Sequence, residues 1–259
     1  MTTATTRSRT LLLSLVLATA PGLAATDDVF DGREGCFLLQ EGGAIRPLER
    51  VGTLCAERVS PCSTFKIPNS LIGLETGVLA DENAVLPWDG VKRSRPEWNR
   101  DHTLASAIKV SVVWYYQELA RRVGAERMQK LVSAIPYGNA DTSSGIDTFW
   151  LGGSIRISPD EQVAFLERLR VSQLPFSERS QRIVRDILVQ ESRGPIAYRG
   201  KTGSCGVDGA KDHGWWVGWV EKDGKATVFA TLVRGNEAFG PVARRLTEVQ
   251  LRKRGLLAP

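Results

Sequence analysis

Ser63 stands three residues before Lys66 in SPCSTFKIPNS (60–70), a stretch otherwise small or apolar. A hydroxyl one helical turn from an amine can act as nucleophile beside its base, provided the amine is neutral. Free lysine titrates near 10.4 and is charged at neutral pH, but burial against apolar groups disfavours the ammonium and exposes the lone pair. Spacing alone does not single out this pair, because 18 serines and 9 lysines give roughly 0.6 such pairs by chance, and Ser106 with Lys109 is a second. Context separates the two. Ser63 follows a Pro-Cys break and opens a helix, so its hydroxyl sits at the positive end of the helix dipole, where backbone amides can receive a developing oxyanion. Ser106 lies inside a helical pattern. Taken alone, Ser63 and Lys66 also read as a helix cap and a surface cation.

Three further stretches carry groups of the same kind. SVV (111–113) offers the hydroxyl of Ser111 on a helix, YGN (137–139) opens a loop with Tyr137, and KTG (201–203) ends a strand with the cation of Lys201 and the hydroxyl of Thr202. Each has an ordinary structural reading: a serine in a helix core, a packing ring, a charge at a strand end. His102 and His213 are the two histidines of the chain, so a Ser-His-Asp arrangement is hard to assemble and no metal site is expected. Lysine is the base that remains.

In the order STFK, SVV, YGN, KTG, these motifs resemble those of the serine β-lactamases and penicillin-binding proteins, and within them class D, the oxacillinase type. EWNRDH (97–102), FWLGGSIRIS (149–158), SERSQRIV (177–184) and GWWVGW (214–219) extend the resemblance from about residue 35 to the C-terminus. It implies hydrolysis of β-lactam antibiotics, penicillins and oxacillin-type compounds first, through an acyl-enzyme on Ser63, and hence β-lactam resistance. It also implies that CO2 or bicarbonate converts Lys66 to an N-carboxylated lysine, the general base for acylation and deacylation, held by the indole N–H of Trp150; no other cofactor is expected. Ser111 would relay a proton to the leaving nitrogen, and the amides of Ser63 and Ser204 would form the oxyanion hole. Lys201, Thr202 and Gly203 fall where the substrate carboxylate binds. Arg244 in GPVARRL (240–246) falls where the family places its carboxylate-binding arginine, with Arg245 next in line. Trp98, Val113, Leu151 and Tyr137 match substrate-pocket positions, although core packing alone accounts for residues of these types. The chain is most like the carbapenem-hydrolysing subgroup, yet it has no arginine between Gly203 and Gly214, where some of those relatives carry one, so carbapenem turnover stays open. Cys62 stands where many relatives have alanine.

The elements that must position these groups follow from periodicity. GCFLLQE (35–41) and 44–51 read as strands turned at Gly42 and Gly43, followed by a helix from Ser63 to about Val78. Apolar spacing predicts helices over 103–123 and 125–134, and the glycine- and asparagine-rich 136–147 reads as loop. Ser158, Pro159 and Glu161 form a capping box with proline at the first helical position, and another helix follows Ser177. After Gly194 and Pro195, three β-branched and aromatic stretches separated by Asp208-Gly209 and Asp223-Gly224 predict antiparallel strands, before a last helix over 239–254. The expected fold is α/β, or α+β: a central antiparallel sheet from both chain termini, flanked by helices, with an inserted helical domain as in penicillin-binding transpeptidases. Residues 25–60 and 181–259 would form the sheet domain and 61–180 the helical domain, with a cleft at the junction.

Residues 1–24 read as a secretory signal peptide: Arg7 and Arg9, the apolar run 11–20, then small residues. Its removal lowers the formal net charge from +5 to +3, and the remaining cations are scattered, which argues against nucleic-acid binding. A periplasmic or secreted protein follows, in which Cys36 and Cys55 could staple the first hairpin. The expected partner is a small-molecule β-lactam, with a homodimer open and no membrane anchor. Two readings share the motifs: a sensor that acylates and stays blocked, for which tethering spans of about 20 apolar residues are missing, and a peptidoglycan-handling enzyme with residual lactamase activity.

Overall fold

A six-stranded antiparallel sheet is assembled from the two ends of the chain. The computed structural model describes residues 28–206 and 212–258, with Met1; the leader and the Asp208-Gly209 turn lie outside the described residues. The strands are β1 (Glu34–Glu41), β2 (Glu49–Gly52), the short pair β3 (Val85–Leu86) and β4 (His102–Thr103), then β5 (Val189–Arg193), β6 (Ile196–Cys205), β7 (His213–Lys222) and β8 (Lys225–Arg234). In the large sheet their order is β2-β1-β8-β7-β6-β5, so the N-terminal β1 lies against the C-terminal β8.

Alternation of side chains across the pleat divides this sheet into two apolar faces. Phe37, Leu39, Trp216, Val220, Phe229 and Val233 meet the C-terminal helix on one face, while Leu38, Trp215, Val217, Trp219, Val228 and Leu232 join the main core on the other. Because both faces are covered, β7 and β8 are buried almost continuously. The β7–β8 turn is the expected Asp223-Gly224, with φ of 51° and 75°, the geometry of a two-residue hairpin that keeps the native strand twist.

The helices are α1 (Lys66–Glu75), α2 (Leu104–Lys109), α3 (Val113–Val123), α4 (Ala125–Ala134), α5 (Pro159–Arg170), α6 (Glu178–Ile187) and α7 (Gly240–Lys253). α1 is entered through a 3-10 turn, Cys62–Phe65, and is buried on every side from Lys66 to Leu74. A helix apolar all round belongs at the centre of a domain, which makes a lysine at its first position an anomaly. α5 starts with the Ser158–Glu161 capping box and packs against β1, β7 and β8. None of the helices is long and apolar enough to cross a membrane among the described residues.

Three local expectations need correction. The second strand is Glu49–Gly52, not 44–51, because Pro47 has no amide hydrogen to give the ladder and pairing begins only at Leu48. β5 was not expected; it is a polar edge strand, VQESR, whose sequence lacks the apolar alternation of an inner strand. The predicted helix over 103–123 is broken in two. Ser111 has φ of 59°, its N–H bonds the Ile108 carbonyl and the Val112 N–H bonds the Ala107 carbonyl, which is a Schellman ending with serine where glycine is usual.

Cys36 and Cys55 form a disulfide that ties β1 to the chain after β2. Closing a loop of 19 residues contributes about 3 kcal/mol through the unfolded chain. Cys36→Ala/Cys55→Ala is expected to lower unfolding stability by about that amount in urea titration; an unchanged midpoint would show that the bridge adds nothing to the fold.

Candidate active site

The cleft lies where the start of α1, the break between α2 and α3, and the free end of β6 converge. Ser63, Ser111, Thr202 and Ser204 line an open volume of about 310 Å3, together with Arg95, Trp98, Lys109 and Val113. The β5 side of β6 is held as far as Gly200, whose N–H bonds the Leu188 carbonyl and whose carbonyl accepts from Gln190, so from Lys201 onward that edge of β6 is left to this cleft. Gly203 is required where β6 crosses the nucleophile turn: a Cβ there would stand 2.8 Å from the Pro61 carbonyl oxygen. Gly240, at the start of α7, presses on the other side of the same strand, its N–H donating to Ser204 Oγ at 2.9 Å.

Lys66 Nζ and Ser63 Oγ are 2.7 Å apart. The amine is fully buried, with the Tyr116 ring 5.5 Å away. Burial pushes its pKa well below the ordinary lysine value, and the positive charges of Lys201 and Arg95 push it in the same direction. Both effects favour the neutral amine, the form able to accept a proton from a hydroxyl at this distance. Behind it, Phe65 stacks on Trp150 with centroids 5.6 Å apart. Trp150 Nε1 is buried and has no hydrogen-bond partner, a deficit that ordinarily costs about 1–3 kcal/mol. An oxygen acceptor carried on the Lys66 amine is the kind of group that fits these two observations.

Lys201 Nζ donates to Ser111 Oγ at 2.9 Å and to the Thr202 carbonyl at 3.0 Å. Burial, with Arg95 as the second cause, lowers its pKa to about 7. The left-handed turn at Ser111 aims a hydroxyl into the cleft that neither helix could present alone, a backbone strain of the kind found at functional sites.

The remaining expected residues are distributed unevenly. Trp98 and Val113 line the cleft, and the Trp98 indole donates to the Val110 carbonyl at 3.0 Å. Leu151 packs against the main core. Tyr137 is buried behind the turn, edge-on to Phe65 and Phe165, with its hydroxyl 3.4 Å from Gln162 Nε2. Arg244 is not among the residues that line the cleft; it pairs with Glu248 at 2.7 Å, donates to Gln190 and lies over the Trp216 ring. Arg245 pairs with Asp31. Ser106 is structural: it shares a capping box with Thr103 and bonds His102.

Sequence reasoning missed Arg95. It stacks on Trp98 at 4.9 Å and bonds Glu97 through Nε and Nη2, so the guanidinium is held at the rim of the cleft. Its position two residues before EWNRDH is the one signal that could have found it. Also missed was Ser60, whose Oγ donates to the Trp150 carbonyl and accepts from Gly152 N–H, fastening the tryptophan segment to the nucleophile turn. Cys62 and Cys205, left unassigned by sequence, form a second disulfide.

The depressed lysine fixes a sign for stability. Between about pH 7 and 10.5 the unfolded chain holds a proton on Lys201 that the folded chain has lost, so stability from this group is complete above 10.5 and falls as pH drops through 7. Lys201→Met is expected to flatten the rise in unfolding free energy across that window; an identical slope in both proteins would contradict the assignment.

Comparison with known proteins gives a consistent picture. The family described as "Penicillin binding protein transpeptidase domain" matches residues 29–248. The chain is 52% identical over 171 residues to beta-lactamase OXA-48 of Klebsiella pneumoniae, covering 66% of this chain and 64% of that protein. It is 41% identical over 231 residues to the probable beta-lactamase YbxI of Bacillus subtilis, covering 89% of this chain and 85% of that one. The solved class D beta-lactamase BAT-2 superposes with a TM-score of 0.84 at 39% identity, covering 90% of this chain and 96% of its own.

Proposed function

The chain belongs to the class D β-lactamases, and from that premise we propose that it hydrolyses β-lactam antibiotics through an acyl-enzyme on Ser63 and so confers resistance to them. The observation that carries this reading is the buried Lys66 amine 2.7 Å from Ser63 Oγ. Ser63 attacks the lactam carbonyl as its proton leaves toward Lys66, and the backbone amides of Ser63 and Ser204 receive the oxyanion. Ser111, bonded to Lys201, delivers a proton to the departing ring nitrogen, since a lysine with a pKa near 7 can give and take one at neutral pH.

Lys66 as an N-carboxylated residue supplies the base for both half-reactions. Trp150 Nε1 would hold it, which removes the orphaned donor. The substrate carboxylate is assigned to Thr202, Ser204 and the Arg95 guanidinium at the rim, while Arg244 is engaged by Glu248. Oxacillin-type penicillins are the first expected substrates. Export is supported by the leader pattern of residues 1–24 and by two disulfides, which persist in an oxidising compartment.

The test is pre-steady-state turnover of a chromogenic cephalosporin in bicarbonate buffer. Wild type is expected to give a burst and then steady hydrolysis, whereas Lys66→Ala should lose turnover; stoichiometric acylation of wild type without turnover would instead identify a sensor. For the carboxylate, Arg95→Ala is expected to raise KM for benzylpenicillin by about tenfold with little change in kcat, a loss of one charge-assisted contact. A raised KM in Arg244→Ala with Arg95→Ala unchanged would return that role to α7.

A further inference from the structure

The disulfide between Cys62 and Cys205 joins positions 143 residues apart. Each cysteine is the immediate neighbour of a residue assigned above to the oxyanion hole. Cys62 precedes Ser63 in the 3-10 turn, and Cys205 follows Ser204 as the last residue of β6. The two amides that must meet one developing oxygen therefore belong to segments from opposite ends of the chain, with a covalent bond one residue away from both.

The surroundings give that bond work to do. Cys62 has φ of 48°, a left-handed backbone that a non-glycine residue keeps only when its neighbours hold it. The turn packs directly on β6, with Pro61 and Thr64 against Gly203, while its side-chain hydrogen bonds reach β7: the Ser60 carbonyl accepts from Trp215 Nε1 at 2.9 Å and lies 3.0 Å from His213 Nε2. Thr64 Oγ1 donates to Pro61 within the turn itself. β6, past its pairing with β5, keeps β7 on one edge and turns the other toward the cleft. Among the described residues the Cys62–Cys205 bridge is the covalent link between the turn and β6.

We propose that this disulfide is a positioning element of the oxyanion hole, fixing the separation of the Ser63 and Ser204 amides, so that the rate of acylation depends on its oxidation. The proposal rests on Ser63 as the acylated residue. Reduction by a dithiol breaks the S–S bond, delivers two electrons and two protons to give two cysteine thiols, and leaves the reagent as its own disulfide. The first disulfide, at Cys36 and Cys55, is not among the residues that line the cleft and serves as the internal control.

The test uses Cys62→Ala/Cys205→Ala, with Cys36 and Cys55 intact. Three readouts are taken: kcat and KM for a chromogenic cephalosporin, affinity for a phenylboronic acid that forms a tetrahedral adduct on Ser63, and near-ultraviolet circular dichroism. Loss of donor alignment is expected to lower kcat/KM about tenfold or more, mainly through kcat, and to weaken boronate binding by a similar factor. The dichroism should stay native. In parallel, Cys36→Ala/Cys55→Ala, which keeps only the second bridge, should lose activity as its thiols appear under dithiothreitol and regain it on reoxidation. Unchanged kcat/KM and boronate affinity in the Cys62/Cys205 variant, or a loss accounted for entirely by a smaller folded fraction, would overturn the proposal. Mass addition of penicillin to Ser63 in the oxidised wild type checks the underlying acyl-enzyme separately.

Discussion

One buried amine organises this molecule. Lys66 is the first residue of a helix enclosed on all sides, and an uncompensated ammonium there carries a desolvation penalty on the order of several kcal/mol. The charges that act on it, Lys201 and Arg95, are positive and add to the penalty. Both effects favour the neutral form of Lys66, and a neutral amine 2.7 Å from a serine hydroxyl is a base. Arg95 also acts on Lys201, where burial is the larger cause of the lowered pKa.

Two positions of backbone strain stand beside this centre. Cys62 and Ser111 both sit in the left-handed region at a cost of about 1–3 kcal/mol each. Each is held by its neighbours: Ser111 by the two amide bonds that end α2, Cys62 by its disulfide and by the ties on Ser60. The close approach of β6 to Pro61, possible only at Gly203, then brings Thr202 and Ser204 to the same cleft as Ser63, with Lys201 reaching it through Ser111. Rigid core behind the turn, from Phe65 through Trp150, Tyr137 and Phe165, keeps water away from the amine.

What the sequence made legible was local chemistry. Asp223-Gly224 could form little other than a tight hairpin, and Ser158-Pro159 with Glu161 could hardly avoid starting a helix, so both were read correctly. The sheet built from both termini followed from where the β-branched stretches fall. Ser111 was misread because a serine takes the left-handed cap that glycine normally marks, and apolar periodicity continues across it. β5 was missed because an exposed edge needs no apolar alternation. The Cys62–Cys205 bridge and the place of Arg95 depend on segments far apart in the chain, and no single-sequence pattern encodes such a meeting. Arg244 matched by order along the chain, but the side chain is drawn to Glu248 one turn further along α7.

The neutrality of Lys66 is most directly tested by carbon-13 NMR of the folded enzyme in labelled bicarbonate at neutral pH, since only an uncharged amine adds CO2. The expected result is a protein-bound carbamate resonance that is present in wild type and missing in Lys66→Ala. A folded, active enzyme that shows no such resonance would contradict the buried neutral amine.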